Sequence, residues 1–265
     1  MCAVSYLNTV PLVWGMLEGP EKDLFDLTFA VPSECAAQVR SGKADIGIVP
    51  VAALLEQQLE IFRGTGIACR GPVRSILLIS TKPFSGIEVL AVDSGSRTSV
   101  MLSRIILAAH GANPDLIVMD PQLNEMLEAA DAALLIGDAA LGQDPDALRA
   151  RGLYVADLGE EWVRITGLPM VFAVWAGRKE VHTAEAERAF IDSCRFGLDR
   201  IDEIASAEHV RRGVSAELAR EYLTEHIVFE LGEAEYRGLD RFLAEAAALP
   251  PANYIQPAVA AMEKS

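Results

Sequence analysis

The sequence predicts an α/β protein of two lobes, one interrupted by the other, with a ligand cleft between them. Short apolar runs of strand length alternate with capped helical stretches as far as about residue 175, the order expected of parallel βαβ units. Two punctuated segments, Lys82-Pro83-Phe84-Ser85-Gly86 and Gly167-Leu168-Pro169, read as the places where the chain crosses out of the first lobe and back. With 265 residues, 51% of them hydrophobic, the chain is long enough to bury a substantial core.

Ala3-Val4 opens the chain as a short strand, and Ser5-Tyr6-Leu7-Asn8-Thr9-Val10-Pro11-Leu12 then turns a corner into a helix. Pro11 has the fixed φ of a first helical turn, and Asn8 or Thr9 supplies side-chain donors and acceptors at the bend. A corner of this kind aims polar groups out of the carboxyl end of a strand, where open α/β sheets bind ligands; the plainer alternative is a helix cap. Leu27 to Val31 alternates like a strand, and Ser33 caps a helix that stops at Gly42. Ala44 to Pro50 is a buried strand ending in a turn, and Val51 to Leu59 resumes helical spacing.

Arg74-Ser75-Ile76-Leu77-Leu78-Ile79-Ser80 is an apolar strand with a charge and a hydroxyl at its head, suited to the interior of a sheet. After the first crossover a new series begins: strand Val89 to Val92, loop Asp93 to Ser99, helix Val100 to Ala109, strand Leu116 to Met119, helix Gln122 to Ala130, strand Ala132 to Ile136, and a helix from Asp144-Pro145 to Gly152. Met170 to Trp175 returns as a strand, and Phe190, Cys194, Leu198 and Ile201, like Tyr236, Leu239, Leu243 and Ala246, keep the spacing of amphipathic helices packed on a core. The expected partition is residues 1–84 with 169–265 as the first lobe and 85–168 as the inserted one. The two crossings make this a type II periplasmic-binding-protein arrangement, with hinge positions near Thr81 to Ser85 and Gly167 to Val171.

A net charge of −15 argues against a nucleic-acid surface, and most of the acid lies on solvated helix faces such as Glu185 to Glu203. No basic stretch leads into a long apolar one, and no segment approaches the roughly 20 apolar residues of a membrane span. A cytoplasmic protein without membrane partners is expected. Cys2, Cys35, Cys69 and Cys194, and the four histidines, are scattered, so reduced structural thiols and no metal site are the expectation.

Candidate binding groups gather in loops. Ser94-Gly95-Ser96-Arg97-Thr98-Ser99 joins a strand to a helix N-terminus, where free N–H groups, the positive helix end and hydroxyls suit a small carboxylate; the alternative is a capped turn with Arg97 paired to an acid. Arg74 and Ser75 serve either the structure or the ligand. Asp138, after Gly137, is read as a helix cap.

The opening octet Ser-Tyr-Leu-Asn-Thr-x-Pro-Leu resembles the N-terminal signature of the chorismate dehydratases of the futalosine pathway of menaquinone biosynthesis. It differs from the Pro-, Asn- and Asp-rich opening of the sister family acting on cyclic dehypoxanthine futalosine. The likeness extends more loosely through Ser41 to Pro50, Arg74-Ser75, the Ser94 to Ser99 loop and Gly167-Leu168-Pro169. It implies the same two-lobed fold and a carbon–oxygen lyase acting on chorismate, with 3-[(1-carboxyvinyl)oxy]benzoate and water as products and with no cofactor or metal. It further implies Asn8 and Ser75 as catalytic residues. Ser5, Tyr6, Thr9, Pro50, Arg74, Ser94, Ser96, Arg97, Thr98, Ser99 and Leu168 are the implied substrate-binding residues.

An amide is a poor proton acceptor, so one account has Asn8 and Ser75 orient the reacting groups while a carboxylate of chorismate takes the proton. The other has Asn8 relay it. A solute-binding or sensor protein of the same fold is the alternative function, since fold does not fix function; the sister enzyme is a second. The absence of clustered His, Cys and Asp predicts that exhaustive chelation leaves turnover of chorismate unchanged. Loss of turnover that one added metal restores is the contrary result.

Overall fold

The computed structural model describes residues 1–256 apart from Ser94 and Ser96. Strand β1 (Cys2–Val4) leads through a 3-10 turn (Leu7–Thr9) into helix α1 (Val10–Glu18). β2 (Thr28–Ala30), α2 (Pro32–Ser41) and β3 (Ile46–Pro50) follow, then a 3-10 turn (Val51–Leu55) and the long strand β4 (Glu60–Cys69). Next come β5 (Ile76–Ser80), β6 (Val89–Val92), α3 (Arg97–Ala109), β7 (Asp115–Val118), α4 (Leu123–Ala129) and β8 (Ala132–Ile136). Short helices α5 (Gly137–Leu141) and α6 (Pro145–Ala150), strand β9 (Tyr154–Asp157) and helix α7 (Leu158–Thr166) close that group. The chain ends with β10 (Met170–Gly177), α8 (Ala184–Leu198), α9 (Ile201–Arg212), α10 (Ala216–Glu221), β11 (Val228–Glu230) and α11 (Glu233–Ala248).

These strands form two sheets, one ordered β11-β4-β10-β3-β1-β2 and the other β7-β6-β8-β5-β9. In the first, β1 runs parallel to β2 and β3 while β10 is antiparallel to β3 and β4. In the second, β6 is parallel to β7 and β8, and β5 is antiparallel to β8 and β9. The placement of β5 corrects the expected boundary at residue 84, because Ile76 to Ser80 pairs along its whole length with Ala132 to Ile136. The chain therefore leaves the first sheet between Cys69 and Ile76, ahead of the anticipated hinge at Thr81 to Ser85, and returns between Asp157 and Met170.

The two-residue period of β5 accounts for its unbroken apolar sequence. Leu77 and Ile79 pack with Met126, Leu135 and Leu148 on one face of the sheet, while Ile76 and Leu78 face the larger core shared with the first sheet. A strand covered on both faces has no polar side to show. Ser33 does not cap α2 as expected: Val31 occupies the cap position and Pro32 supplies the first-turn φ. All four cysteines are free and buried, in line with structural thiols.

Helix α1, which carries the opening corner, is fixed by a close crossing with α8. The Ser193 hydroxyl donates to the Leu12 carbonyl at 2.9 Å, and a Cβ on Gly197 would lie 2.2 Å from the Pro11 carbonyl oxygen. Behind this contact the Trp175 ring stacks on Phe190 at 4.6 Å. Gly197→Ala pushes backbone against backbone and is expected to cost about 1–3 kcal/mol, read as a lower denaturation midpoint. Gly86→Ala, where nothing lies within 4 Å of the new methyl, is expected to stay within about 0.5 kcal/mol of the parent; equal effects at the two sites would contradict the packing argument.

Candidate functional site

The corner predicted at residues 5–12 is present, and Thr9 occupies the N-cap position of α1, but no side-chain capping hydrogen bond is made there. Thr9 is fully buried, its hydroxyl has no partner among the described residues, and it does not reach the cavity described below. Asn8 is turned the other way: its Nδ2 donates to the Tyr222 hydroxyl at 2.8 Å. That hydroxyl donates in turn to Ser75 Oγ, also at 2.8 Å. Residues from the first 3-10 turn, from the link into β5 and from the C-terminal helices are thus joined at one buried phenol.

Asn8 and Ser75 line a narrow cavity of about 70 Å³ between the sheets. Its walls are largely apolar, from Val4 and Ile67 on one side to Ile136 on the other, and its polar lining is Tyr6, Asn8, Ser75, Thr98 and Ser99. None of the described lining residues is charged. Thr98 and Ser99 sit in the first turn of α3, where unpaired N–H groups and the helix dipole favour an anion. The Ala52 N–H donates to Thr98 Oγ1 at 3.2 Å, which leaves the hydroxyl proton of Thr98 for another acceptor. Pro50 also lines the cavity.

Tyr6 lies against Gly137, where φ is +58° and a Cβ would come within 2.9 Å of the tyrosine ring. Only glycine fits that contact. Burial, with Asp93 and Asp138 nearby, pushes the Tyr6 phenol up to about 12, so it remains neutral at physiological pH. Asp138 does not cap its own helix. Its Oδ1 accepts from the Leu7 N–H at 3.2 Å and its Oδ2 from Arg212 Nη1 at 2.8 Å, so a carboxylate next to the second sheet caps the 3-10 turn of the first. Arg212 also donates to the Ser5 carbonyl and to Glu208. Ser5 is tied to this cluster by its backbone, and its exposed side chain lies outside the cavity.

Other expected contacts fall elsewhere. Arg74 adopts a φ of +68°, held there because the Asp157 carboxylate accepts the Val73 and Arg74 N–H groups at 2.9 and 2.6 Å. Its guanidinium donates to the Gln143 carbonyl at 3.0 Å, away from the cavity. Arg97 pairs with Glu56 at the surface, one of its two contacts measuring 2.7 Å. That pairing, the plainer of the two readings, holds the Glu56 carboxyl below its ordinary range. Leu168 belongs to the return crossing: its N–H donates to Thr166 Oγ1 at 3.1 Å, and it does not line the cavity. Ser94 and Ser96 lie outside the described residues.

Tyr222 and Arg212 are the members of this site that sequence reasoning missed. Tyr222 lies between the two amphipathic helical patterns read from the sequence, in a segment assigned no role there. A signal was present, since a tyrosine buried in a core must find a partner for its hydroxyl.

The fold has counterparts among known proteins. A crystal structure of a protein from Archaeoglobus fulgidus superposes with a TM-score of 0.73 at 19% identity, covering 93% of this chain and 96% of that one. A Candida albicans protein described as having the generic periplasmic binding protein fold superposes with a TM-score of 0.64 at 14% identity, over 95% and 90% of the two chains. The fold is therefore of the periplasmic-binding-protein type, as the two crossings predicted. A chorismate dehydratase from Thermus thermophilus is 34% identical over 95% of this chain and 96% of its own. The family model described as menaquinone biosynthesis matches residues 1–248, and the chain belongs to that menaquinone-biosynthesis family.

Proposed function

We propose that this protein is a chorismate dehydratase, a carbon–oxygen lyase that converts chorismate to 3-[(1-carboxyvinyl)oxy]benzoate and water. The observation that carries the proposal is the convergence of Asn8 and Ser75 on one apolar cavity, beside the N-terminal turn of α3. The kinship with the Thermus enzyme supports the choice of substrate.

The reaction removes the proton on the ring carbon that bears the ether and expels the hydroxyl from the next carbon. Together they make up the water released, and aromatisation of the ring supplies the driving force. One substrate carboxylate rests on the Thr98 and Ser99 donors of α3, where apolar walls strengthen each hydrogen bond. Ser75, accepting from Tyr222, keeps its own proton and hydrogen-bonds it to the departing hydroxyl, which leaves as water with the proton taken from the ring. Asn8, with its N–H₂ drawn to Tyr222, offers Oδ1 as an acceptor that orients the ring.

No carboxylate or imidazole stands among the described lining residues. The second carboxylate of the substrate is therefore assigned as the proton acceptor, a route that depends on positioning more than on basicity. Tyr6 is neutral and closes the cavity against Gly137, adding no charge that would repel a dianion.

Incubation of the purified protein with chorismate alone tests the proposal, followed by chromatography and mass. The expected outcome is loss of chorismate and appearance of an aromatic enol ether lighter by one water. Unchanged chorismate that nonetheless binds would replace the enzyme with a solute-binding protein. Within the same assay Ser99→Ala removes one carboxylate donor and is expected to raise KM about tenfold, the loss of one charge-assisted hydrogen bond, with kcat changed less than about threefold. A fall in kcat at constant KM would move Ser99 from anchoring to chemistry.

A further inference from the structure

Tyr222 is 1% exposed and begins a π-helical turn, Tyr222–His226, directly after α10. Such turns are rare and are frequent at functional sites. Its hydroxyl touches both Asn8 and Ser75 at 2.8 Å. A phenol has one proton to give. Because the Asn8 N–H fills an acceptor position on Tyr222, the phenolic proton is directed to Ser75. Ser75 Oγ, with that acceptor position filled, presents its own proton to the cavity. Asn8 presents Oδ1, which is buried and has no partner among the described residues.

We propose that Tyr222 is a positioning residue for the elimination: it sets the direction of this hydrogen-bond chain, making Ser75 the donor and Asn8 the acceptor toward the substrate. The inference rests on the chorismate dehydratase reading. Tyr222 itself does not line the cavity and acts through its two neighbours. Burial holds its phenol above the ordinary tyrosine range, so the neutral donor persists throughout the physiological range. A core tyrosine without this role would share the burial, but its hydroxyl would be dispensable to turnover once the fold is intact.

The test is Tyr222→Phe, alone and combined with Ser75→Ala, with Tyr236→Phe as the comparison. Tyr236 is also buried, and its hydroxyl accepts from the Gly64 N–H at 2.9 Å, remote from the cavity. Without the phenolic hydroxyl both neighbours are free to turn, so Y222F is expected to lower kcat by about 30- to 100-fold with KM within about threefold of the parent. In the Ser75→Ala background only the hold on Asn8 is left to lose, so adding Y222F is expected to cost at least about threefold less than the same change costs in the parent. Y236F is expected to keep kcat.

Parental kcat in Y222F overturns the proposal, as does the same fold-loss with and without Ser75, or an equal loss in Y236F. If Y222F does not fold, 3-fluorotyrosine placed at position 222 keeps the ring and makes its hydroxyl a stronger donor and a weaker acceptor. Site-specific fluorination is then expected to shift kcat by at least about threefold, and an unchanged kcat overturns the proposal. A parent protein inert toward chorismate instead defeats the underlying activity, before any variant is compared.

Discussion

A hydrogen-bonding group buried between apolar walls costs about 1–3 kcal/mol if left unpaired, and this constraint organises the centre of the molecule. Asn8 and Ser75 are both buried and line the cavity between the two sheets, whose walls are largely apolar. Tyr222 resolves both, since one hydroxyl can accept from the first and donate to the second. What remains unpaired at Asn8 is Oδ1, beside a cavity that a ligand would fill. An unsatisfied acceptor at that place is a preorganised half of a hydrogen bond, open to a donor from a ligand.

Placing those groups falls to contacts well outside the cavity. Asp157 gathers four N–H groups, two from the first turn of α7 and two from Val73 and Arg74. One carboxylate thereby caps a helix and fixes the left-handed turn that delivers Ser75. On the opposite side, the close crossing of α1 with α8 sets the axis along which Asn8 points, and Asp138 and Arg212 tie the same corner to the second sheet. Arg212 holds Ser5, Asp138 and Glu208 with its side chain only 9% exposed, and so loses less to solvent screening than the surface pairs do. The corner is gripped from both sheets.

The opening corner, β3 and the paired apolar runs of β5 and β8 were legible because each obeys a local rule of period, capping or proline placement. β4 was not: Gly64 and Gly66 interrupt its alternation, and its pairing with β10 slips register twice, so a ten-residue strand leaves no clean two-residue period. β9 and α7 fall between Gly152 and Gly167, a stretch of the inserted lobe to which the sequence assigned no element. The assignment of β5 to the first lobe failed for a different reason, because chain order does not reveal which sheet a buried strand joins; here its neighbours are β8 and β9, both far ahead in sequence. In the structure, Asn8, Ser75, Tyr6, Pro50, Thr98 and Ser99 line one cavity. Arg74, Arg97 and Leu168 do not, the two arginines because each found a protein acceptor. Tyr222 and Arg212 escaped notice because their partners lie more than 140 residues away in some contacts and more than 200 in others, a separation that no spacing rule reaches.

The same geometry explains how a chain of net charge −15 can serve a dianion without a charged side chain among the described lining residues. At long range the protein field disfavours the ligand, but exposed charges are screened beyond about 10 Å at ordinary ionic strength, and most of the acid lies on outer helix faces. Inside the cavity the relevant terms are short-ranged: the N-terminal turn of α3, two hydroxyls and the oriented Ser75. A guanidinium there would bind the dianion more tightly, yet it would hold ground state and transition state alike, and uniform binding does not raise kcat. It would also neutralise the substrate carboxylate proposed above as the proton acceptor, lowering its basicity when that basicity is needed. Arg74 and Arg97 lie close by in sequence to Ser75 and Thr98, and both are drawn onto protein acceptors, Gln143 and Glu56. Keeping those cations out of the cavity is consistent with a reaction in which the substrate supplies its own base.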